Sequence, residues 1–177
     1  IASGAFASAI DTPGVMTSST VTFTTVGRIL SSGMIKLVLG DGQLIDSDLA
    51  TSDLTFDDGT VVSAVTVNAG RNTVSITIGS VIASGASVTL SVGAKIRTPP
   101  STTAVSTVAL TTYISASGEE SNRIDEGTLT TDAISAGSIA SGAFASAIDT
   151  PGVRSQVTVT FTTVGRILSS GMIKLVL

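Results

Sequence analysis

The chain has 177 residues, a net charge of −4, 42% hydrophobic and only 12% charged residues, with no His, Cys or Trp. That set excludes Ser-His-Asp and Cys-His catalysis, the usual zinc ligands and disulfides, and we expect no enzyme activity. The acidic balance disfavours nucleic acid and anionic membrane surfaces as partners, and no run reaches the ~18–20 apolar residues of a membrane span.

Ser and Thr together supply 53 of the 177 residues. The core must therefore be aliphatic and the surface hydroxyl-rich, as in extended β structure. No signal peptide is visible, and cysteine-free composition is compatible with an extracellular home, because a domain of this size can do without staples.

The first stretch, residues 1–39, recurs at 139–177, an offset of 138. The two copies differ only where Met16, Thr17, Ser18 and Ser19 become Arg154, Ser155, Gln156 and Val157. Near-identity after a domain's length of chain points to a tandem array. The second copy is read as truncated, a sandwich left after its third strand. Val159, Phe161, Ile173 and Leu175 are then expected to face water until other chain completes the fold.

Within the first copy, residues 4–10 predict an edge strand before the kink at Pro13. Residues 20–26 place Val21 and Phe23 on one face and Thr22 and Thr24 on the other. Residues 34–39 alternate Ile35, Leu37 and Leu39 against an outward Lys36. An acidic loop spans 41–53, and a short strand follows at 54–56. Asp58-Gly59 is a two-residue hairpin signal that joins this strand to 61–67. A turn at Asn68–Arg71 leads into 72–78. Alternation resumes at 87–92, and after Pro99-Pro100 a last strand covers 103–114.

These elements, spaced by roughly 8–12 residues with turn chemistry between them, read as an antiparallel β-sandwich. The domain is expected to occupy 1–117. Residues 118–138 are polar, acidic and then Gly/Ser/Ala-rich, which predicts an inter-domain connection, with 128–134 as a further edge-strand candidate. Residues 139–177 open the next repeat.

The runs VTFTTVGRILSSGMIKLVL, NTVSITIGSVIASGASVTLSVG and TVALTTY resemble the tandem immunoglobulin-like domains of extracellular fibre and adhesin-like surface proteins. They lack the cysteine pair and core Trp of antibody domains. The resemblance implies an all-β, Ig-like module in a filament or stalk whose partners are copies of itself. The leading expectation is a structural component of an extracellular filament. The alternative is the stalk of a repetitive cell-surface adhesin whose binding domain lies elsewhere.

Chemistry-bearing residues are sparse. Asp41, Asp46 and Asp48, with Asp53, Asp57 and Asp58 nearby, are the calcium candidates, but no Glu closes a 12-residue loop, so a solvated acidic loop is preferred and no cofactor is expected. The chain has no Asn-X-Ser/Thr sequon. Thr98, Ser101, Thr102 and Thr103, flanking Pro99-Pro100, are the O-glycan candidates. Lys36, Lys95 and Lys174 have no partner that would mark a catalytic amine.

Overall fold

The computed structural model describes residues 1–40, 42–103, 107–167, 169 and 171–176. It is all-β and sandwich-like, and no described helix is long and apolar enough to cross a membrane.

Alternation of apolar and hydroxyl residues produces the strands, since a period of two puts every second side chain on one face. In chain order they are β1 (Ser3–Ser8), β2 (Met16–Thr24), β3 (Met34–Leu39), β4 (Leu44–Ile45), β5 (Leu54–Phe56), β6 (Val62–Val67), β7 (Thr73–Ile78), β8 (Ser87–Arg97), β9 (Val108–Tyr113) and β10 (Arg123–Thr131). Then come β11 (Ala140–Ser146) and β12 (Val157–Thr162), which pair only with each other. Single 3-10 turns sit at Thr51–Asp53 and Glu120–Asn122.

The ten first strands form one continuous path, β4-β8-β2-β1-β10-β9-β3-β7-β6, with β5 also on β8. Every pairing is antiparallel except β1 with β10, a short parallel seam at Ala5–Thr130 and Phe6–Thr131. The strands on either side of that seam contribute to a single hydrophobic cluster. Phe6, Val21, Phe23 and Leu90 come from one side and Ile35, Leu37, Ile76 and Leu110 from the other. Each such side chain contributes about 1.5–3 kcal/mol by leaving water. With no Trp and few Phe, the cluster depends on dense aliphatic packing.

Four expectations are corrected. Residues 118–138 are not only a connection: β10 lies within them and sits between β9 and β1, with Leu129 in the core. The polar composition hid it because its outward positions carry Glu126, Thr128 and Thr130. Nor is β1 an edge strand, since β2 and β10 flank it. The Asp58-Gly59 turn forms, with Gly59 at φ 77° and the Thr60 N–H donating to Asp58 Oδ1 at 2.9 Å. It closes no hairpin, however. β5 pairs with β8 and β6 with β7, so the turn carries the chain between distant parts of the sheet. The last predicted strand begins later than expected, at Val108.

Copy two departs from copy one at its third element. Met34–Leu39 is a strand, whereas the same residue types at 172–176 adopt no regular structure. Strand β3 is held between β7 and β9, and nothing among the described residues supplies those neighbours to 172–176.

Candidate functional site

Within the 41–53 loop, the Asp46 and Asp48 side chains are neighbours, and hydrogen bonding, first to Asp46 and then to Lys95, lowers the Asp48 carboxyl. Asp46 lies 3.7 Å from the Arg71 guanidinium, and Asp48 lies 3.3 Å from Lys95 Nζ. Asp53 Oδ2 accepts the Ala50 N–H at 2.8 Å, and Asp57 Oδ1 accepts the Thr89 N–H at 3.0 Å. That backbone donor is the chief reason the Asp57 carboxyl is held below its ordinary range. The Asp48 side chain, acting as hydrogen-bond partner, pushes the Lys95 ammonium up. No group of three or more potential metal ligands occurs among the described residues. Asp41 lies outside them.

Thr98 is buried, and this removes it as a glycan acceptor. Its hydroxyl donates to the Thr12 carbonyl and accepts the Val15 N–H at 3.0 Å, clamping the Pro13 turn to the end of β8. Ser101, Thr102 and Thr103 are exposed, and the Ser101 and Thr103 hydroxyls lie 3.2 Å apart.

The most distinctive surface belongs to the second copy. From Ala143 onward, β11 and β12 pair in the register of β1 and β2: Phe144 opposes Val159 as Phe6 opposes Val21, and Ala143 opposes Thr160 as Ala5 opposes Thr22; before it the register shifts, with Ser141 at φ 54°. The hairpin therefore forms by local pairing alone. Its apolar face stays open. Phe6 is 2% exposed and Phe144 56%; Ile35 and Leu37 are sealed, while Ile173 and Leu175 are 56% and 57% exposed. Val159 and Phe161 are half-buried. With Ile139, these side chains line a recess of about 410 Å³.

The loops repeat the contrast. The Val26 N–H donates to Asp125 Oδ2 at 2.9 Å and the Gly27 N–H to both carboxylate oxygens at 3.2 Å. Asp125 is buried, so these bonds fix the β2–β3 loop to β10. A side chain on Gly27 would collide with Ile124 Cγ2. In copy two, Gly165 turns the same side toward the first unit's Pro13 carbonyl, 2.7 Å from where a Cβ would stand. Sequence reading missed Asp125 because an acidic residue in a polar stretch carries no mark of burial. The signal that could have exposed it is its position on β10, recognisable only once that strand is.

No family model matches the chain, and no curated protein does. Among solved structures, it is similar to the collagen-binding domain from a Staphylococcus aureus adhesin, with 14% identity and a TM-score of 0.42 over 73% of this chain and 95% of that one. It is also similar to BslA, a bacterial hydrophobin, with 12% identity and a TM-score of 0.41 over 76% of this chain and 95% of that one.

Proposed function

We propose that the chain is a stretch of an extracellular structural filament, built from tandem immunoglobulin-like β-sandwich units with a period of 138 residues. One observation carries this reading. The residues that seal the first unit's core recur in 139–177 with their apolar face open, so the second copy needs the same covering strands that the first copy has. A unit that repeats its sequence also repeats its covering, and near-identical beads in series give a fibre with nearest-neighbour contacts. The function is mechanical: bead size sets length, and the acidic surface limits clumping of neighbouring fibres. The partners are further copies of the unit, with no role for catalysis, a cofactor or nucleic acid. Ser101, Thr102 and Thr103 are the O-glycan acceptors.

Electron microscopy of the native protein, with the reading frame around this stretch, tests the proposal. Regular filaments made of these units to both ends are expected. A single anchored chain ending in an unlike domain would instead favour the adhesin stalk, and isolated single units would overturn both. Intact mass of native material reads the glycans directly; an unmodified mass removes them from the proposal.

A further inference from the structure

We propose that β6 is a docking edge for a second copy of this chain: two β6 strands pair antiparallel about a two-fold axis and join their sheets. The inference goes beyond the filament reading and does not require it.

The path of strands has two ends, and they differ. At one end stand β4 and β5, two and three residues long, both paired with β8. Asp46, Asp48, Asp53 and Asp57 flank them in sequence. Brevity and charge are how an edge resists pairing with another chain. At the other end stands β6, six residues of sequence VSAVTV with neither charge nor proline. Val62, Val65 and Val67 pack against the core, while Ser63, Ala64 and Thr66 are exposed. An uncharged edge of this length is a template for a further strand.

The register with β7 says which backbone groups are free. The Asn68 N–H donates to the Thr73 carbonyl at 3.0 Å. Alternation along an antiparallel ladder then makes Thr66–Ser75 and Ala64–Thr77 hydrogen-bonded pairs, and leaves Val67–Val74 and Val65–Ile76 without bonds between them. The N–H and C=O groups of Val65 and Val67 therefore point away from β7. The Thr51–Asp53 turn lies beside β6, but no described residue outside the strand pairing hydrogen-bonds to Val65 or Val67. Ser63 sits where the register shifts, and its hydroxyl donates to the Thr77 carbonyl.

One register uses both free residues. With Thr66 opposite Thr66 of the second copy, each Val65 exchanges two hydrogen bonds with Val67 of the other copy. A centre on Val65 would rely on Ser63, which the register shift takes out of line. The pairing is also complementary in charge. Asp57 and Asp58 precede β6 and Arg71 follows it, and antiparallel strands bring opposite ends together. On a chain of net charge −4, the uncharged edge is where two copies approach with least repulsion. The contact uses the same patch on both copies, so it closes at two chains.

The absence of cysteine makes the test clean. Three full-length variants, Thr66→Cys, Ser75→Cys and Thr55→Cys, are oxidised with glutathione disulfide at equal concentration. Thr66 meets its counterpart at a Cα separation of about 4.5 Å, within reach of a disulfide. Ser75 lies one strand inward, roughly 14 Å from its counterpart, and Thr55 is exposed on the opposite edge. Thr66→Cys should form covalent dimers at least about tenfold faster than either control. Adding Val65→Pro should slow it by about tenfold, because proline there removes an outward donor and no bond to β7. Thr66→Lys sets two like charges face to face and leaves the backbone intact. In sedimentation equilibrium the unsubstituted chain should dimerise reversibly with concentration, and Thr66→Lys should stay monomeric. Equal rates for the three cysteine variants, an unsubstituted chain monomeric at millimolar concentration, assemblies that grow past a dimer, or a dimer indifferent to Thr66→Lys would each overturn it. None of these outcomes bears on whether the native protein forms filaments.

Discussion

Copies one and two share 35 of 39 residues, yet one is core and the other surface. Phe6, Ile35 and Leu37 are sealed by β7, β8, β9 and β10, while Phe144, Ile173 and Leu175 meet solvent. The hairpin survives in both because its pairs are only a short loop apart. The third strand survives in one alone. Met34–Leu39 makes no pair with the hairpin beside it in sequence; its neighbours β7 and β9 come from far along the chain. The difference between the copies separates what local pairing can hold from what needs the sheet.

The largest expected effect is in the core. Phe6→Ala should cost about 3–5 kcal/mol in denaturant unfolding, because it empties a sealed site. Phe144→Ala should stay within about 0.5 kcal/mol, as for an exposed site. Equal losses for the two variants would mean that the two faces are covered alike.

A smaller effect is expected at the loop. Asp125→Ala leaves the N–H groups of Val26 and Gly27 without their charged acceptor, and should cost about 1–3 kcal/mol. Amide exchange sharpens the comparison. Protection should fall at Val26 and Gly27 and stay unchanged at Val164 and Gly165, which have no such carboxylate among the described residues. Equal change in both loops would refute the assignment of Asp125 as the clasp.

The smallest effect concerns the joint. The Ser135 N–H donates to the Asp11 carbonyl at 2.9 Å, and one Asp11 carboxylate oxygen is buried without a partner among the described residues. Burial first, and the nearby Asp132 charge second, raise the Asp11 carboxyl above its ordinary range. A raised carboxyl binds its proton more tightly in the folded state, so its contribution is present at low pH and lost as pH rises through the raised value. Denaturation midpoints should therefore gain slightly as pH falls through the raised value toward the ordinary carboxylate range, and Asp11→Asn should remove that gain. Asp57 acts in the opposite direction, because a lowered carboxyl loses its contribution only under stronger acid. A midpoint that falls over this range in wild type but not in Asp11→Asn would reverse the sign and sink the account.

Much of the first unit was legible from its residues. The alternation at Val21–Phe23, at Ile35–Leu39 and at Val74–Ile78 predicted strands whose inward sides are buried, because period-two patterning is a local property. The turn at Asn68–Arg71 was legible for the same reason, and it does close the β6–β7 hairpin. Sites were harder. Thr98 looked like its neighbours Ser101–Thr103, and only the packing of the Pro13 turn against β8 separates the buried hydroxyl from the exposed ones. The acidic loop looked like a cluster of free carboxylates, but Arg71 and Lys95 pair with Asp46 and Asp48 from distant positions.

What the sequence determined by itself was the strand-forming pattern, the aliphatic core, the acidic surface and the 138-residue repeat. Those follow from side-chain chemistry and spacing, which need no partner. The tertiary structure decided which strand lies beside which. It drew β10 out of a polar stretch into the sheet and routed Asp58-Gly59 across the fold instead of around a hairpin. It also left one of two near-identical segments open. The physical reason is common to all three: a strand is completed by hydrogen bonds and burial from elsewhere in the chain, and 39 residues cannot specify neighbours they do not contain.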